Sequence, residues 1–559
     1  MTGHQAADSE AGLQDWPLRP WLCAGLLGIA GLLLHFTGDG WAEVPWRMAL
    51  SAALVFGPLA ACFTLDQQRL GAPLAFSGAV ALVMAGIAWR ATSAGDRYAD
   101  EEFWVAAGIL AVTLSVPLFQ AGFHRLRWLT PYKTTHFHVW TDAISGAGAL
   151  AFTGIAWALL ALLSELFAVI KIDLLKDLID EEWFALTFSG AACGAALGVL
   201  RNQLKIIGTL QNVVLLVLSI LAVPLALALL VFLAAVATSG IDVLWEATRS
   251  ATPLLLAIAV GCFVLTNAVV RDEDEQASQS RVLRLAGFVL ALGILPLAIM
   301  AAISMGTRID QHGLSPERLW ALIAIAVAVA YGVGYFAAAL RGRREGWRGF
   351  VRQANLHLAV LTCGIAFILA LPVFNFGAIS ASNQLARLES GAVSAQDFDY
   401  AALRWDFGDA GRKALAKLAK DENPEVAKLA AEAQAQEQPS YRGFGPSTPS
   451  QRLANLRLQI ADQALREQVT ERVRIETWRC ELPCVAIELG RNAAGQQRVA
   501  MVQGEMVEEL VFDPEGAPPA PSIPPASPPA VTRESKVELR SWTGRRIYVD
   551  GEPVGQPFE

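Results

Sequence analysis

Long, uncharged apolar stretches constrain the fold of this chain more than any other feature of its sequence. A helix that crosses a bilayer needs roughly 20 mostly apolar residues, because it rises about 1.5 Å per residue through hydrocarbon about 30 Å thick. With hydrophobic residues at 54% and charged residues at 17%, the chain is too apolar for a wholly soluble protein. We therefore predict an all-α transmembrane helical bundle of about 11 spans, with the lipid bilayer as its main partner. The candidate spans are 21–36, 48–65, 71–89, 103–123, 142–164, 183–200, 206–238, 251–270, 285–306, 319–340 and 356–374.

The composition excludes several classes of function. A net charge of −8 is not that of a nucleic-acid-binding protein, and seven cysteines in 559 residues are too few for a disulfide-dense scaffold. The sequence contains no Walker loop and no HExxH, GxSxG or CxxCH motif. His136 and His138 are spaced so that they can bind a cation only if further ligands join them, which we do not expect. The sequence therefore predicts no catalytic residue, no cofactor and no metal ion.

Basic residues in the loops predict the orientation, because Lys and Arg are retained on the cytoplasmic side of a membrane. Loops on the side of the amino terminus carry about twice as many of them as the opposite loops. We therefore predict a cytoplasmic tail (1–20), a transmembrane domain (21–374) and, after eleven crossings, a periplasmic carboxyl-terminal region of a bacterial inner (plasma) membrane protein. The stretch 206–238 decides this topology, because two helices there would move the carboxyl-terminal region inside. Pro224 permits a kink, and we interpret the stretch as one long, bent helix.

Polar side chains inside the spans are the candidate functional residues, because hydrocarbon makes them costly. The candidate intramembrane polar site comprises His35, Glu165, Asn212, Asn267 and His357, while Asp142 stands at the entrance of its span. A structural contact near a span end explains each of them, and a role in moving a substrate or proton is the alternative.

Two further patterns concern helix packing. Gly190, Gly194 and Gly198 share one face of the sixth span, and such a face lets another helix approach closely. Packing within the chain and homo-oligomerisation both remain open interpretations. Residues 165–182 alternate apolar and charged side chains at helical spacing, which predicts a helix lying at the membrane interface.

The chain changes character after Phe374, where the charged fraction rises from about 13% to about 25%, the value of an ordinary globular protein. We predict an extramembrane α+β domain with a mainly helical region (375–478) and a small β-rich region (479–559). Asn423 before Pro424 predicts a helix amino terminus. The predicted helices lie near 380–390, 395–405, 410–420, 424–436 and 450–475. The predicted strands are 484–489, 499–502, 510–512, 537–542 and 546–549, the last two joined by a hairpin turning at Thr543 and Gly544.

Two local features of this domain bear on function. The proline-rich loop 514–529 is too proline-rich to pack as a strand, which favours a spacer, with recognition by a partner as the alternative. Cys480 and Cys484 are the only cysteines after Phe374, and in an oxidising compartment we expect them to form a disulfide.

Several blocks of the sequence resemble a known family of bacterial membrane proteins. They are LFAVIKIDLLKDLIDEEWFALTFSG (166–190), GTRIDQHGLSPERLWAL (306–322), ISASNQLARLESG (379–391) and FDYAALRWDFGDAGRKALAKLA (398–419). Together they resemble the family of domain of unknown function 4153. The resemblance implies a polytopic plasma-membrane protein with an extramembrane tail, and it implies no activity, cofactor or catalytic residue.

Three hypotheses for the function follow. The favoured one is a membrane-anchored scaffold or sensor, whose tail binds an envelope protein partner or a signal. A transporter or permease is the alternative, favoured by the many spans, the kinked seventh helix and the polar groups within the bundle. An intramembrane enzyme has least support, because the sequence shows no nucleophile, base or metal constellation.

Overall fold

The computed structural model describes most of the chain. It covers residues 16–37, 44–99, 101–240, 251–275, 280–342, 346–436, 449–476, 478–480, 482–491, 495–503, 506–512, 545–549 and 552–558. These residues form two compact units, one comprising Met1–Gln384 with Asp406–Gly411 and the other Leu385–Trp405 with Arg412–Glu559.

The first unit is a bundle of helices. Within the described ranges, eleven helices are long and apolar enough to cross a membrane, as predicted. They are α1 (Arg19–Thr37), α2 (Pro45–Thr64), α3 (Gly71–Ala94), α4 (Glu101–Gln120), α5 (Tyr132–Val169), α6 (Glu182–Asn202), α7 (Leu204–Ser239), α8 (Ala251–Val270), α9 (Arg281–His312), α10 (Pro316–Gly342) and α11 (Trp347–Ala370).

Two of these helices are much longer than a bilayer requires. The stretch that decided the predicted topology is a single helix, α7, which continues through Pro224 for 36 residues. Helix α5 has 38 residues and begins at Tyr132, ten residues before its predicted span. His136 and His138, which lie before the predicted span, are therefore part of this helix. At 1.5 Å per residue each helix is more than about 50 Å long, so part of each extends beyond about 30 Å of hydrocarbon.

The predicted interfacial helix is shorter than expected. Helix α5 includes Phe167 and ends at Val169, and the chain then turns at Lys171, which has a φ of 62°. Only Leu174–Asp180 forms a separate helix before α6 begins at Glu182. The first apolar residues of the predicted stretch thus continue the preceding span, because nothing in the sequence interrupts that helix before Lys171.

The glycine face of α6 packs against α1. A Cβ atom added at Gly194 would lie 2.2 Å from the carbonyl oxygen of Cys23, and one added at Gly31 of α1 would lie 2.2 Å from the carbonyl oxygen of Leu186. Only glycine permits this close approach of two backbones. Helix α1 thus covers the face formed by Gly190, Gly194 and Gly198, and the packing lies within the chain.

The apolar core of the bundle is largest around α9. Leu290 and Leu297 of this helix are fully buried, as are Tyr335 of α10 and Val351 of α11. A second cluster around Met84 joins α2, α3, α4 and the end of α11. These contacts determine how each helix is rotated about its axis, and hence where its polar side chains point.

The carboxyl-terminal unit combines short helices with a sheet. Asn423 caps a helix as predicted, since its side chain accepts a hydrogen bond from the backbone N–H of Glu425. The helices after the bundle are α12 (Phe376–Glu389), α13 (Tyr400–Trp405), α14 (Gly408–Leu418), α15 (Pro424–Gln434), α16 (Pro449–Asn455) and α17 (Gln463–Ile475). The strands are β1 (Leu456–Gln459), β2 (Cys484–Arg491), β3 (Gln497–Gln503), β4 (Met506–Phe512), β5 (Arg545–Val549) and β6 (Glu552–Phe558).

The sheet corrects one prediction. The helix predicted at 450–475 is interrupted by β1, which pairs in parallel with β2, and Asp462 caps a new helix after it. The four-stranded sheet has the order β1-β2-β3-β4 and is antiparallel from β2 onwards. Strand β5 pairs with β6 in an antiparallel arrangement. The predicted strand 537–542, the predicted turn at Thr543 and Gly544 and the proline-rich loop 514–529 lie outside the described residues.

The core of this unit includes the two cysteines. Cys480 and Cys484 form a disulfide and are buried together with Val469 of α17 and Val499 of β3. Next to the disulfide, the guanidinium of the buried Arg479 donates two hydrogen bonds, of 2.7 and 2.9 Å, to the carboxylate of Glu508 on β4. Helix, disulfide loop and sheet therefore close around one apolar core.

Candidate functional site

Helix α5 carries polar side chains on two opposite faces near its amino terminus. Tyr132 and His136 lie four residues apart on one face, whereas His138, Asp142 and Ser145 repeat at intervals of four and three on the other. At about 100° per residue the two sets point in nearly opposite directions. None of the five residues is exposed. Tyr132 belongs to one polar cluster inside the bundle, and His138, Asp142 and Ser145 belong to another. His136 packs beside Tyr132 with ring centroids 5.6 Å apart, and its two ring nitrogens have no hydrogen-bond partner in the described structure.

The first cluster is a ring of four side chains from four helices, which we call the amide–tyrosine ring: Tyr132 (α5), Asn267 (α8), Tyr335 (α10) and Asn355 (α11). The Asn355 amide donates to the Asn267 side-chain oxygen at 2.6 Å and to the Tyr132 hydroxyl at 3.2 Å. The Asn267 amide donates to the Tyr335 hydroxyl at 2.8 Å, which in turn donates to the Asn355 side-chain oxygen at 2.6 Å. The Tyr132 hydroxyl donates to the Asn267 oxygen at 3.4 Å.

The amide–tyrosine ring leaves no polar group without a partner. The second amide hydrogen of Asn267 is taken by the carbonyl oxygen of Phe263 at 2.8 Å, and each hydroxyl both donates and accepts. Buried polar groups are costly unless they are hydrogen-bonded, and here the four residues satisfy one another without water or ligand. The four side chains therefore join four helices through hydrogen bonds and leave none of their own polar groups unsatisfied.

Charged residues surround the ring at the end of α8. The Arg352 guanidinium donates to the carbonyl oxygens of Val270 (2.7 Å) and Arg271 (3.0 Å), where the negative end of the α8 dipole lies. Arg352 also pairs with Asp274 at 3.1 Å, and Lys133 of α5 pairs with Glu273 at 2.8 Å. The loop after α8 is thus bound to both α11 and α5.

The second cluster lies on the other face of α5 and contains a buried ion pair. The Arg201 Nη1 of α6 donates to the Asp142 Oδ1 at 2.9 Å, and the two side chains are only 8% and 12% exposed. Arg19 of α1 donates to the carbonyl oxygen of Arg201 at 3.0 Å. The Gln120 amide of α4 donates to the carbonyl oxygen of Phe63 at 2.9 Å and reaches the Asp142 carboxyl. We call Gln120, His138, Asp142, Ser145 and Arg201 the Asp142 cluster.

The Asp142 cluster differs from the ring because it is incompletely satisfied. Within the part of the chain that the structure describes, five of its buried polar atoms lack a hydrogen-bond partner. They are Gln120 Oε1, His138 Nδ1, Asp142 Oδ2, Ser145 Oγ and Arg201 Nε. Such atoms in a native protein point to bound water, an ion or a functional role.

The structure does not bring the predicted site residues together. Asn267 belongs to the amide–tyrosine ring, but Glu165 and Asn212 are exposed on the surface of the bundle. His35 lies 3.3 Å from a carboxylate oxygen of Glu182 at the exposed end of α1. His357 is also exposed, and its ring stacks on Trp128 with centroids 5.1 Å apart.

Sequence reasoning missed three members of the ring. Asn355 was missed because the last span was predicted to begin at residue 356, whereas α11 begins at Trp347. Tyr132 lay before its predicted span, and Tyr335 counted as an apolar residue. The sequence did contain a sign that these residues meet. Asn267, Tyr335 and Asn355 each lie within nine residues of a helix end. Those ends, at Val270, Gly342 and Trp347 respectively, adjoin loops on one side of the bundle.

Other candidate sites are apolar. Two surface grooves, of about 610 and 470 Å³, are lined chiefly by aliphatic and aromatic side chains of α10 and α11 and of α3, α4 and α11, respectively. In the described ranges no three His, Cys, Asp or Glu side chains are grouped so that they could hold a metal ion. The two polar clusters are therefore the features to explain.

Comparison with known proteins identifies one family. The family described as Domain of unknown function (DUF4153) matches residues 21–418, which begin two residues inside α1 and end with α14. No curated protein and no solved structure matches the chain.

Proposed function

The chain belongs to the DUF4153 family, and from this membership and the two clusters we propose that it is a membrane-anchored scaffold or sensor. Its bundle holds an extramembrane α+β unit at the membrane, where that unit binds an envelope protein or a signal. The observation that carries this proposal is the complete amide–tyrosine ring. Four helices are joined there by side chains that satisfy one another, as suits an anchor more than a path for a substrate.

The carboxyl-terminal unit supports the same proposal. It has its own apolar core, its own four-stranded sheet and a buried disulfide, so it is built as a folded domain. Disulfides persist mainly in oxidising compartments. We propose that this unit lies on the periplasmic side of a bacterial plasma membrane and the amino terminus on the cytoplasmic side. The basic loops and an odd number of candidate spans support this orientation.

Thiol accessibility tests whether the ring is closed. In a background without the free cysteines, Asn267→Cys is treated with a membrane-impermeant thiol reagent from either side of membrane vesicles. We expect no reaction at Asn267→Cys and full reaction at the control Glu273→Cys, because Glu273 lies in the adjoining loop with 40% of its side chain exposed. Labelling of folded Asn267→Cys at the rate of the control would show a water-filled path and would favour transport. The free cysteines to be replaced are Cys23, Cys62, Cys193, Cys262 and Cys363.

Reporter fusions test the proposed side of the carboxyl-terminal unit. Alkaline phosphatase attached after residue 559 is expected to be active, because it folds only in an oxidising compartment. A cytoplasmic fluorescent protein at the same position is expected to stay dark. The opposite pair of results would place the unit in the cytoplasm and would remove the envelope partner from the proposal.

A transporter is the second candidate, and the Asp142 cluster favours it. Ionisable pairs buried in transmembrane bundles often mark paths for ions or protons, and this pair leaves polar atoms unsatisfied. The accessibility experiment separates the two candidates at the ring, while the chemistry of the Asp142 cluster needs its own test.

A further inference from the structure

The groove of about 470 Å³ between α3, α4 and α11 has the length of one bilayer leaflet. Its lining along α4 runs as one stripe from Gly108 to Phe119, eleven residues that rise about 17 Å, and half of the hydrocarbon is about 15 Å thick. Phe76 of α3 and Phe367 of α11 line its other sides, and none of the described residues that line it is acidic. The groove therefore suits one acyl chain of a lipid from a single leaflet.

Stacked rings build one end of this groove and hold the loop between α4 and α5 (121–131) beside it. Phe119 stacks on Phe76 with ring centroids 4.3 Å apart, and His124 of the loop stacks on Phe119 at 4.6 Å. Trp128 of the same loop stacks on His357 of α11 at 5.1 Å. The loop is thus held to α4 and to α11, two of the helices that form the groove.

The exposed side chains of this loop are typical of a membrane interface. Trp128 is 55% exposed and Leu129 is 83% exposed, and Arg125 and Arg127 are exposed as well. Tryptophan and arginine favour the headgroup layer, where an apolar part of the side chain meets hydrocarbon and a polar part meets water. The loop therefore places two cations where the headgroup of a lipid in the groove would lie.

The two guanidinium groups are available to an anion. Arg125 folds back along the loop, so that its Nη2 would lie 3.8 Å from a Cβ atom added at Gly122, the residue before the lining residue Phe123. In the described part of the chain neither Arg125 nor Arg127 forms an ion pair or a side-chain hydrogen bond. Guanidinium groups bind phosphate through parallel N–H donors. Charge and geometry thus favour a phosphate at this end of the groove.

We propose that the groove binds an anionic phospholipid, with one acyl chain between α3, α4 and α11 and the phosphate at Arg125 and Arg127. The apolar lining alone would accept a chain from any lipid, so the preference for an anionic headgroup depends on the two arginines. Each cation close to an anionic headgroup is worth roughly fivefold in affinity. The inference goes beyond the proposed function and does not depend on it, since an anchor and a transporter can both hold a lipid.

Native mass spectrometry of the full chain in detergent micelles tests the headgroup contact. The probes are phosphatidylglycerol, which is anionic, and phosphatidylcholine with the same acyl chains, which has no net charge. We expect phosphatidylglycerol to bind with a Kd roughly 25-fold lower, and we expect Arg125→Gln/Arg127→Gln to lose this preference. The control Lys205→Gln/Arg281→Gln removes two exposed cations from the starts of α7 and α9 and should keep the preference.

Photo-crosslinking tests whether the acyl chain lies in the groove. Phosphatidylglycerol with a diazirine in one acyl chain, added at one lipid per protein, is expected to react with peptides that contain 108–119 of α4 and 360–367 of α11. Gly364→Leu should prevent this reaction, because Gly364 lines the groove and a Cβ atom there has open space around it for a larger side chain to enter. The matched control Gly349→Leu lies on the same helix, is equally open and does not line the groove, so it should leave the cross-links unchanged.

The two experiments use different variants, so a variant that fails to fold, as judged by circular dichroism, leaves the other experiment decisive. The proposal is overturned if folded Arg125→Gln/Arg127→Gln keeps the wild-type preference, or if phosphatidylcholine binds the wild-type protein as tightly as phosphatidylglycerol. It is also overturned if folded Gly364→Leu keeps the cross-links in both helices, because the lipid would then lie elsewhere on the bundle.

Discussion

The hydroxyl of Tyr335 is expected to contribute more to the stability of the bundle than any other hydroxyl near it. Tyr335→Phe keeps the ring volume but removes the group that accepts from Asn267 at 2.8 Å and donates to Asn355 at 2.6 Å. Both amides are then left buried with an unsatisfied atom. Hydrogen bonds between membrane helices average about 0.6 kcal/mol and reach about 1.7 kcal/mol. Two short bonds in a fully buried site should therefore cost about 2–3 kcal/mol on loss.

Two matched substitutions make this expectation specific. Tyr132→Phe also removes two hydrogen bonds of the ring, but they are long, at 3.4 and 3.2 Å, so the loss should be less than half as large. Tyr331→Phe makes the same chemical change one turn earlier on α10, at a hydroxyl that forms no hydrogen bond to the ring, and should change stability least.

The assay is unfolding by sodium dodecyl sulfate in mixed micelles, followed by tryptophan fluorescence and circular dichroism. The midpoints give the free energies of unfolding relative to the wild-type protein. The expected order of destabilisation is Tyr335→Phe, then Tyr132→Phe, then Tyr331→Phe. A Tyr335→Phe variant that unfolds no more easily than Tyr331→Phe would refute the reasoning that the ring joins the four helices.

Three further expectations concern other parts of the chain. Gly194→Ala should destabilise the bundle by about 1–3 kcal/mol, because its Cβ would lie 2.2 Å from the carbonyl oxygen of Cys23. The control Gly25→Ala, with open space around it, should be neutral or stabilising in the same unfolding assay. Asn423→Ala should cost about 1 kcal/mol and speed amide exchange in α15 roughly fivefold, measured by mass spectrometry; unchanged exchange would contradict the role of the cap. Hydrogen bonds from the Gln497 side chain and from two backbone N–H groups lower the pKa of Asp462. The Asp462 carboxylate therefore stabilises α17 fully at a pH above the pKa that this carboxyl has in the unfolded chain. The contribution is lost as the pH falls through the lower pKa of the folded protein. Asp462→Asn should make amide exchange in α17 less dependent on pH in that acidic range, and an unaltered dependence would contradict this.

Much of the architecture follows from local sequence. The eleven helices and the single helix through Pro224 were predicted because each depends on how many consecutive residues hydrocarbon will accept. The N-cap at Asn423 was predicted for a similar reason, since the cap involves only residues adjacent in the chain.

One error occurred where pairing between distant segments decides the structure. Strand β1 was predicted as helix because its pairing with β2, across more than twenty residues, is invisible in a local pattern.

The sequence by itself determined that eleven stretches form helices long and apolar enough to cross a membrane, because the free energy of burial in hydrocarbon adds up along each stretch. The tertiary structure alone decided which polar side chains meet. Asn267 became part of a complete ring, while Asn212 and Glu165 remained on the surface. The difference depends on how packing rotates each helix about its axis. That rotation is determined by distant contacts, such as those between the glycines of α6 and the backbone of α1.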